Sequence, residues 1–154
     1  MKAVEIVRER RVGAPLVRVW EIVEAVEGLG QWFAFAERAE LLEGGGLGRR
    51  QRIHGHWGSK ASEIDQVVTD FEPGTRLAWR HEAERLDGRP APRFARETRF
   101  AIELEGDDGG TLVRLRSRQE PASVLKGIVL RTVGRREVSA RLNRSLDRLA
   151  ELAL

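Results

Sequence analysis

The final fifth of the chain sets the strongest constraint on its fold. From Ala122 to Leu154 it reads ASVLKGIVLRTVGRREVSARLNRSLDRLAELAL. Val138, Leu142, Leu146, Leu149 and Ala153 recur at steps of four, four, three and four, the apolar stripe of an amphipathic helix. Pro121 and Ala122-Ser123 suit its start, since proline lacks the N–H that would go unused there and serine supplies a cap oxygen. At about 1.5 Å per residue the helix is roughly 50 Å long, more than the width of a small domain. A helix of that length needs a large apolar surface to lie on. Gly127 and Gly134 interrupt its first half, so a bend or close packing is expected there.

The rest of the chain must supply that surface, and its size fits a single domain over residues 1–154. No apolar run approaches the roughly 20 residues of a membrane span. The start, MKAVEIVRER, has no apolar core of a secretory signal, so a cytoplasmic location is expected. There is no cysteine, which excludes disulfides, thiolate zinc sites and a thiol nucleophile, and no tyrosine. The net charge is +3, yet the final helix alone carries seven basic residues against three acidic ones, leaving −1 elsewhere. Such a helix can meet phosphates, an anionic membrane surface or a protein partner, or simply present a solvated face. No aromatics are interleaved to stack bases, so no DNA partner is expected.

Along the chain, Lys2–Val12 reads as a strand, and Pro15 opens a short amphipathic helix built on Leu16, Val19, Trp20, Val23 and Val26. Gly28 and Gly30 end it, and Gln31–Arg38, with Trp32, Phe33 and Phe35, reads as a second short helix. Turn signals at 43–46, 58–60, 73–75, 87–92 and 106–110 then separate six β-like runs. These are 39–42, 49–57, 61–71, 76–85, 94–105 and 111–119. Consecutive hairpin-length strands with segregated helices make the fold α+β, with an antiparallel sheet of seven strands.

This order, together with certain residues, resembles a known superfamily. The residues are Val12-Gly-Ala-Pro15 with Val19-Trp20, Gly28-Leu-Gly-Gln-Trp32, Phe71-Glu-Pro-Gly74 with Leu77-Ala-Trp79, Gly110-Thr111, and Ser145-Leu146 to Leu149. They are similar to the START-like (SRPBCC, helix-grip) superfamily, in its polyketide cyclase/dehydrase and lipid-transport branch. The resemblance implies a strongly curved sheet gripping the C-terminal helix, with a cavity between them for an apolar or amphipathic small molecule. It does not name a function, because members include carriers, cyclases, hydrolases and interaction domains.

Strand parity nominates the cavity wall. If Phe100 and Ile102 face inward, Phe94, Arg96 and Thr98 follow; Val113 and Leu115 bring Ser117; Leu77 and Trp79 bring His81; Ile53 and Trp57 bring Gln51 and Gly55. The run 61–71 is ambiguous, since Ile64 and Val68 have one parity and Val67 and Phe71 the other, a conflict that a bulge of unknown position would resolve. With Trp32, Phe33 and Phe35, and with Leu125, Ile128 and Val129 from the start of the last helix, this makes an aromatic-lined space with a few polar groups. The alternative is a solid aromatic core. Arg96, if buried, needs a partner: a ligand carboxylate or enolate, or Glu63 or Asp65.

Chemistry is weakly signalled. His81 is either a general base or a hydrogen-bonded wall residue. His54 and His56 share the outer face of a strand with no third metal ligand in view, so no metal is expected. Glu82 and Glu84 share a face of one strand and Glu63 and Asp65 a face of another, either as acid/base pairs or as solvated charges. There is no G-x-S-x-G, and Gly44–Gly48 lacks the lysine of a phosphate loop. Three functions are consistent with these features. The first is binding of a hydrophobic or aromatic small molecule without a cofactor. The second is an aromatase/cyclase-like enzyme with His81 as acid/base and Arg96 stabilising an enolate. The third is an interaction module using the basic helix. A homodimer is compatible with each.

Overall fold

The computed structural model describes residues 2–154. Strand β1 (Val4–Val12) leads into α1 (Leu16–Glu24), a single 3-10 turn (Val26–Gly28) and the one-turn helix α2 (Leu29–Trp32). Seven strands follow: β2 (Arg38–Glu43), β3 (Arg50–Trp57), β4 (Lys60–Glu72), β5 (Arg76–Leu86), β6 (Arg89–Pro90), β7 (Ala95–Asp107) and β8 (Gly110–Pro121). The chain closes with α3 (Val124–Val129), a π-helical turn (Leu130–Gly134) and α4 (Arg135–Leu152). All strand pairs are antiparallel, in the order β1-β8-β7-β5-β4-β3-β2, and the two-residue β6 pairs with β5 alone. The fold is therefore the expected α+β helix-grip architecture, with one small strand beyond the expected seven.

Helix α4 buries Leu142, Leu146 and Leu149 in the concave face of the sheet, with Ala153 buried just past its end and Val138 half-buried, the stripe read from the sequence. They join Ile6, Trp32, Leu77, Ile102 and Leu115 in one core. Ser123 caps α3 by accepting from the Lys126 amide at 3.2 Å. Gly127 is pressed so close that a Cβ there would lie 3.2 Å from Pro121, and Gly134 ends the π turn, which is the close packing those glycines implied. Gly30, which lies inside the second short helix, is packed more tightly still: a Cβ would meet the Glu37 carbonyl oxygen at 2.4 Å. The helix stops at Trp32, where Phe33 turns to extended backbone, instead of running to residue 38.

Four bulges interrupt the strands; one, at Leu42, lies in the edge strand β2, and the other three bear on the concave face. Thr69 is the extra residue of β4 between the Val68–Trp79 and Asp70–Ala78 pairs, so Val68 and Phe71 both face inward. Glu82 is the extra residue of β5 between the Gln66–His81 and Asp65–Ala83 pairs. Arg96 is the extra residue of β7 between the Ala95–Pro121 and Glu97–Glu120 pairs. Each bulge flips parity beyond it, a change that strict alternation does not anticipate.

The convex face is held by charge. Asp65 accepts from Arg52 Nε at 2.6 Å and from Arg85 Nη2 at 2.8 Å, tying β3, β4 and β5 together. The Arg52 hydrogen bond, against the opposing effect of burial and with help from Arg85, holds the Asp65 carboxyl down at about 2.

Two outcomes follow. Leu142→Ala should lose about 2–5 kcal/mol of stability in denaturant unfolding, because a fully buried side chain is removed from the helix–sheet seam. Asp65→Asn should cost about 1–2 kcal/mol at neutral pH, allowing for solvent screening. Because the folded carboxyl titrates lower than the unfolded one, that contribution is complete above about pH 4. It fades as pH falls towards 2, so wild-type and variant unfolding midpoints should converge there.

Candidate functional site

Helix α4 crosses the concave face without filling it. A cavity of about 350 Å³ remains, open at one end. Its inner wall is aromatic. Trp79 of β5 stacks on Phe100 of β7 with ring centres 5.2 Å apart, and Phe33 stands edge-on to Trp79 and Phe100 at 5.5 and 4.8 Å. Phe35 continues the wall beside Phe33, with the Arg141 guanidinium 5.7 Å above its ring. The loop carrying both phenylalanines is pinned to α4 by one hydroxyl: Ser145 Oγ accepts from the Ala34 amide at 2.8 Å and donates to the Arg141 carbonyl at 2.8 Å.

The polar part of the wall is built around a buried relay. Arg49 donates to the Glu24 carbonyl at the end of α1 (2.9 Å) and to Gln51 Oε1 (2.9 Å from Nη2). Gln51 Nε2 in turn donates to Gln66 Oε1 at 2.8 Å. A guanidinium can only donate, so the two amides must point their oxygens back towards it. The chain therefore ends on the Gln66 NH2, which has no partner, in the cavity wall. Trp79 Nε1, on the neighbouring strand β5 opposite Val68, is also buried without a partner. Parity alone places Gln51 inward. It does not pick out Gln66, which lies in the ambiguous strand, and Ser145 is one serine on a helix until the loop at Ala34 meets it.

His81 faces the cavity opposite Gln66. The bulge at Glu82 turns Glu84 to the same side, so Glu84 Oε1 lies 3.5 Å from His81 Nδ1, which makes no hydrogen bond. Glu84 also meets Arg93 at 3.4 Å. Burial works against ionisation of Glu84, but His81 and Arg93 outweigh it and the carboxyl sits below its ordinary value. Its expected neighbour Glu82 pairs instead with Arg50 at 3.2 Å, so the two glutamates do not act together. Thr98 and the buried Ser117 also line the cavity.

Other expected wall residues lie elsewhere. Arg96 is the bulged residue of β7, and its side chain is 72% exposed and paired with Glu120 at 3.5 Å, not with Glu63, Asp65 or the cavity. Trp32 is fully buried in the core, edge-on to Phe33, and does not reach the cavity. Leu125 is 72% exposed, because the close seat of Gly127 on Pro121 turns the opposite face of α3 to solvent. Trp57 stands at the mouth, 55% exposed, with its ring centre 6.4 Å from that of the exposed Phe94. With Val129 these two line a second groove of about 340 Å³ that shares Trp57, Glu84, Pro92, Thr98, Gln119 and Glu137 with the cavity, so Trp57 belongs to both. His54 and His56 pair separately with Glu40 (2.9 Å) and Glu37 (2.7 Å).

The same fold recurs widely among solved structures. The Zhui aromatase/cyclase from Streptomyces sp. R1128 superposes with a TM-score of 0.71 at 20% identity, over 98% of this chain and 93% of its own. TTHA0849 from Thermus thermophilus does so with a TM-score of 0.76 at 18% identity, covering 97% of both chains. Ara h 8.0201 matches with a TM-score of 0.71 at 14% identity, over 98% of this chain and 97% of its own. No protein of curated function matches the sequence. Residues 3–153, nearly the whole chain, match one family, and the protein belongs to it: the polyketide cyclase / dehydrase and lipid transport family.

Proposed function

We propose that the protein binds a hydrophobic, largely flat small molecule in the cavity between the concave sheet and α4. The observation that carries this reading is the aromatic wall of Trp79, Phe100, Phe33 and Phe35 around about 350 Å³ of open space. That volume lies in the range of small-molecule sites, and stacked and edge-on rings suit a planar ligand. Gln66 and Trp79, both in the cavity wall, keep buried side-chain N–H groups without a partner, which is unusual because buried donors are normally satisfied. Thr98 and Ser117 offer further short polar contacts along the opposite strands.

A second reading, acid–base catalysis on such a ligand, is favoured by one feature, the approach of Glu84 to His81. An ionised Glu84 would hold His81 with its proton on Nδ1, leaving Nε2 to take a proton from the ligand. Arg96 has no part in it, because it faces solvent on the far side of a bulge.

Gly55 lines the cavity in ordinary strand conformation, and a Cβ there would meet nothing closer than 3.8 Å. Gly55→Trp should therefore fill the cavity and abolish the binding of flat aromatic ligands in calorimetry, at a cost of about 1–3 kcal/mol in unfolding. Unchanged affinity in this variant would disprove binding at this site. If the protein turns over a polyketide-type substrate, His81→Ala should lower kcat by about 10²–10⁴ and leave ligand Kd nearly unchanged. A fall in affinity alone would assign His81 to binding.

A further inference from the structure

Helix α3 and the π turn carry their apolar residues on the wrong side for a helix packed on a sheet. Gly127, Leu130 and Gly134 face the protein, while Val124, Leu125, Ile128 and Val133 point to solvent. Leu125 and Val133 are each more than 70% exposed. Thr132, the one polar residue within this face, donates its hydroxyl to the Ile128 carbonyl at 2.8 Å and so adds little polarity. Across the second groove stand Trp57 and Phe94, also exposed. A contiguous apolar patch of this kind marks a contact surface. It is continuous with the mouth of the cavity, because the groove and the cavity share Trp57, Pro92 and Thr98.

The charges around it are mostly basic. The β3–β4 turn, the segment from Asp87 to Phe94 and the helix from Ala122 to Val133 contribute five basic residues, Lys60, Arg89, Arg93, Lys126 and Arg131, against Asp87, while the two glutamates that line the groove, Glu84 and Glu137, are paired with Arg93 and Arg141. Lys126 and Arg131 are fixed at the base of the helix by bonds to the carbonyls of Arg93 (2.9 Å) and Lys2 (2.7 Å). Lys60 and Arg89 sit exposed at hairpin tips.

We infer that this end of the molecule docks on an anionic lipid surface. The apolar face of α3 with Trp57 and Phe94 enters the interface, and the basic rim meets the headgroups. Apolar side chains ringed by Lys and Arg are what an interfacial helix presents to acidic lipid. A second copy of the chain fits less well, since a twofold contact through this end would set two basic rims against each other. Docking here also brings the cavity mouth to the bilayer, so an apolar ligand would pass between the two without crossing water. That consequence rests on the proposed ligand reading; the docking itself does not.

Co-flotation with vesicles tests it. The protein should float with vesicles of phosphatidylcholine and phosphatidylserine in equal parts, and far less with phosphatidylcholine alone. Leu125→Ser and Val133→Ser should each lower the partition by about tenfold, and Lys60→Glu or Arg89→Glu by at least about fivefold. Added salt should weaken binding. Because all four residues are exposed, the variants should keep the wild-type unfolding midpoint. Gly55→Trp should leave flotation unchanged even if ligand binding is lost, which separates failure of the ligand reading from failure of this one. Absence of flotation with the mixed vesicles would overturn the inference, as would equal flotation of Leu125→Ser and Val133→Ser. So would a dimer in light scattering that Leu125→Ser dissociates, which would make the patch an interface between copies.

Discussion

The structure depends on the seam between α4 and the concave face of the sheet. Leu142, Leu146 and Leu149 are almost wholly buried there, and they fix how deep the helix sits and which way it runs. A single helix about 10 Å wide cannot fill a sheet of this breadth. Near the C-terminal half of α4 the gap is closed by α1 and α2 with Val19, Val23, Leu29 and Trp32. Towards its N-terminal half nothing closes it, and Val138 and Arg141 look onto open space. The cavity is thus the part of the concave face that the two short helices do not reach.

Irregularities in the strands decide what that space contains. A regular β5 would direct Ala83 and Arg85 inward after His81. The extra residue Glu82 sends Glu84 in instead and creates its approach to the imidazole. A regular β7 would carry Arg96 into the wall. The bulge at that residue expels it, so no unpaired guanidinium is left in an apolar pocket. The buried cation that the fold does keep, Arg49, has its donors satisfied by neutral acceptors. It is shared between a helix-end carbonyl and an amide relay, and burial pushes it below its ordinary value. The relay fixes the direction of each amide, so the Gln66 NH2 is left without a partner because of a residue two links away.

The first turns of the last helix follow a different rule from the rest of it. In α4 the large apolar side chains face the sheet and the charges face water. In α3 glycine and Pro121 make the contact with the body, and valine, leucine and isoleucine are left outside. The change takes place at the π turn, which is where an extra residue per turn can rotate one face against the other. Burial of α3 is therefore too shallow to use its apolar residues, and they are available to something else.

The order of residues along the chain was enough to specify the element order, the antiparallel sheet, the α4 stripe, the Ser123 cap and the crowded glycine at 127. These rest on local periodicity and on residues whose geometry is nearly independent of partners. The same reasoning puts Trp79, Thr98, Ser117 and His81 at the concave face, because alternation holds wherever a strand is regular; Phe33 and Phe35, read inward as helix aromatics, reach the cavity from a loop instead. The remainder was settled by how the elements meet in space. A bulge exists because of the register with a neighbouring strand, so Thr69, Glu82 and Arg96 carry no mark of their own, and every parity beyond them is shifted. Patterning misplaces Trp32, Phe94 and Leu125 for a related reason. Hydrophobicity says that a side chain prefers to be covered, but only the packing of whole elements says which ones the fold has room to cover.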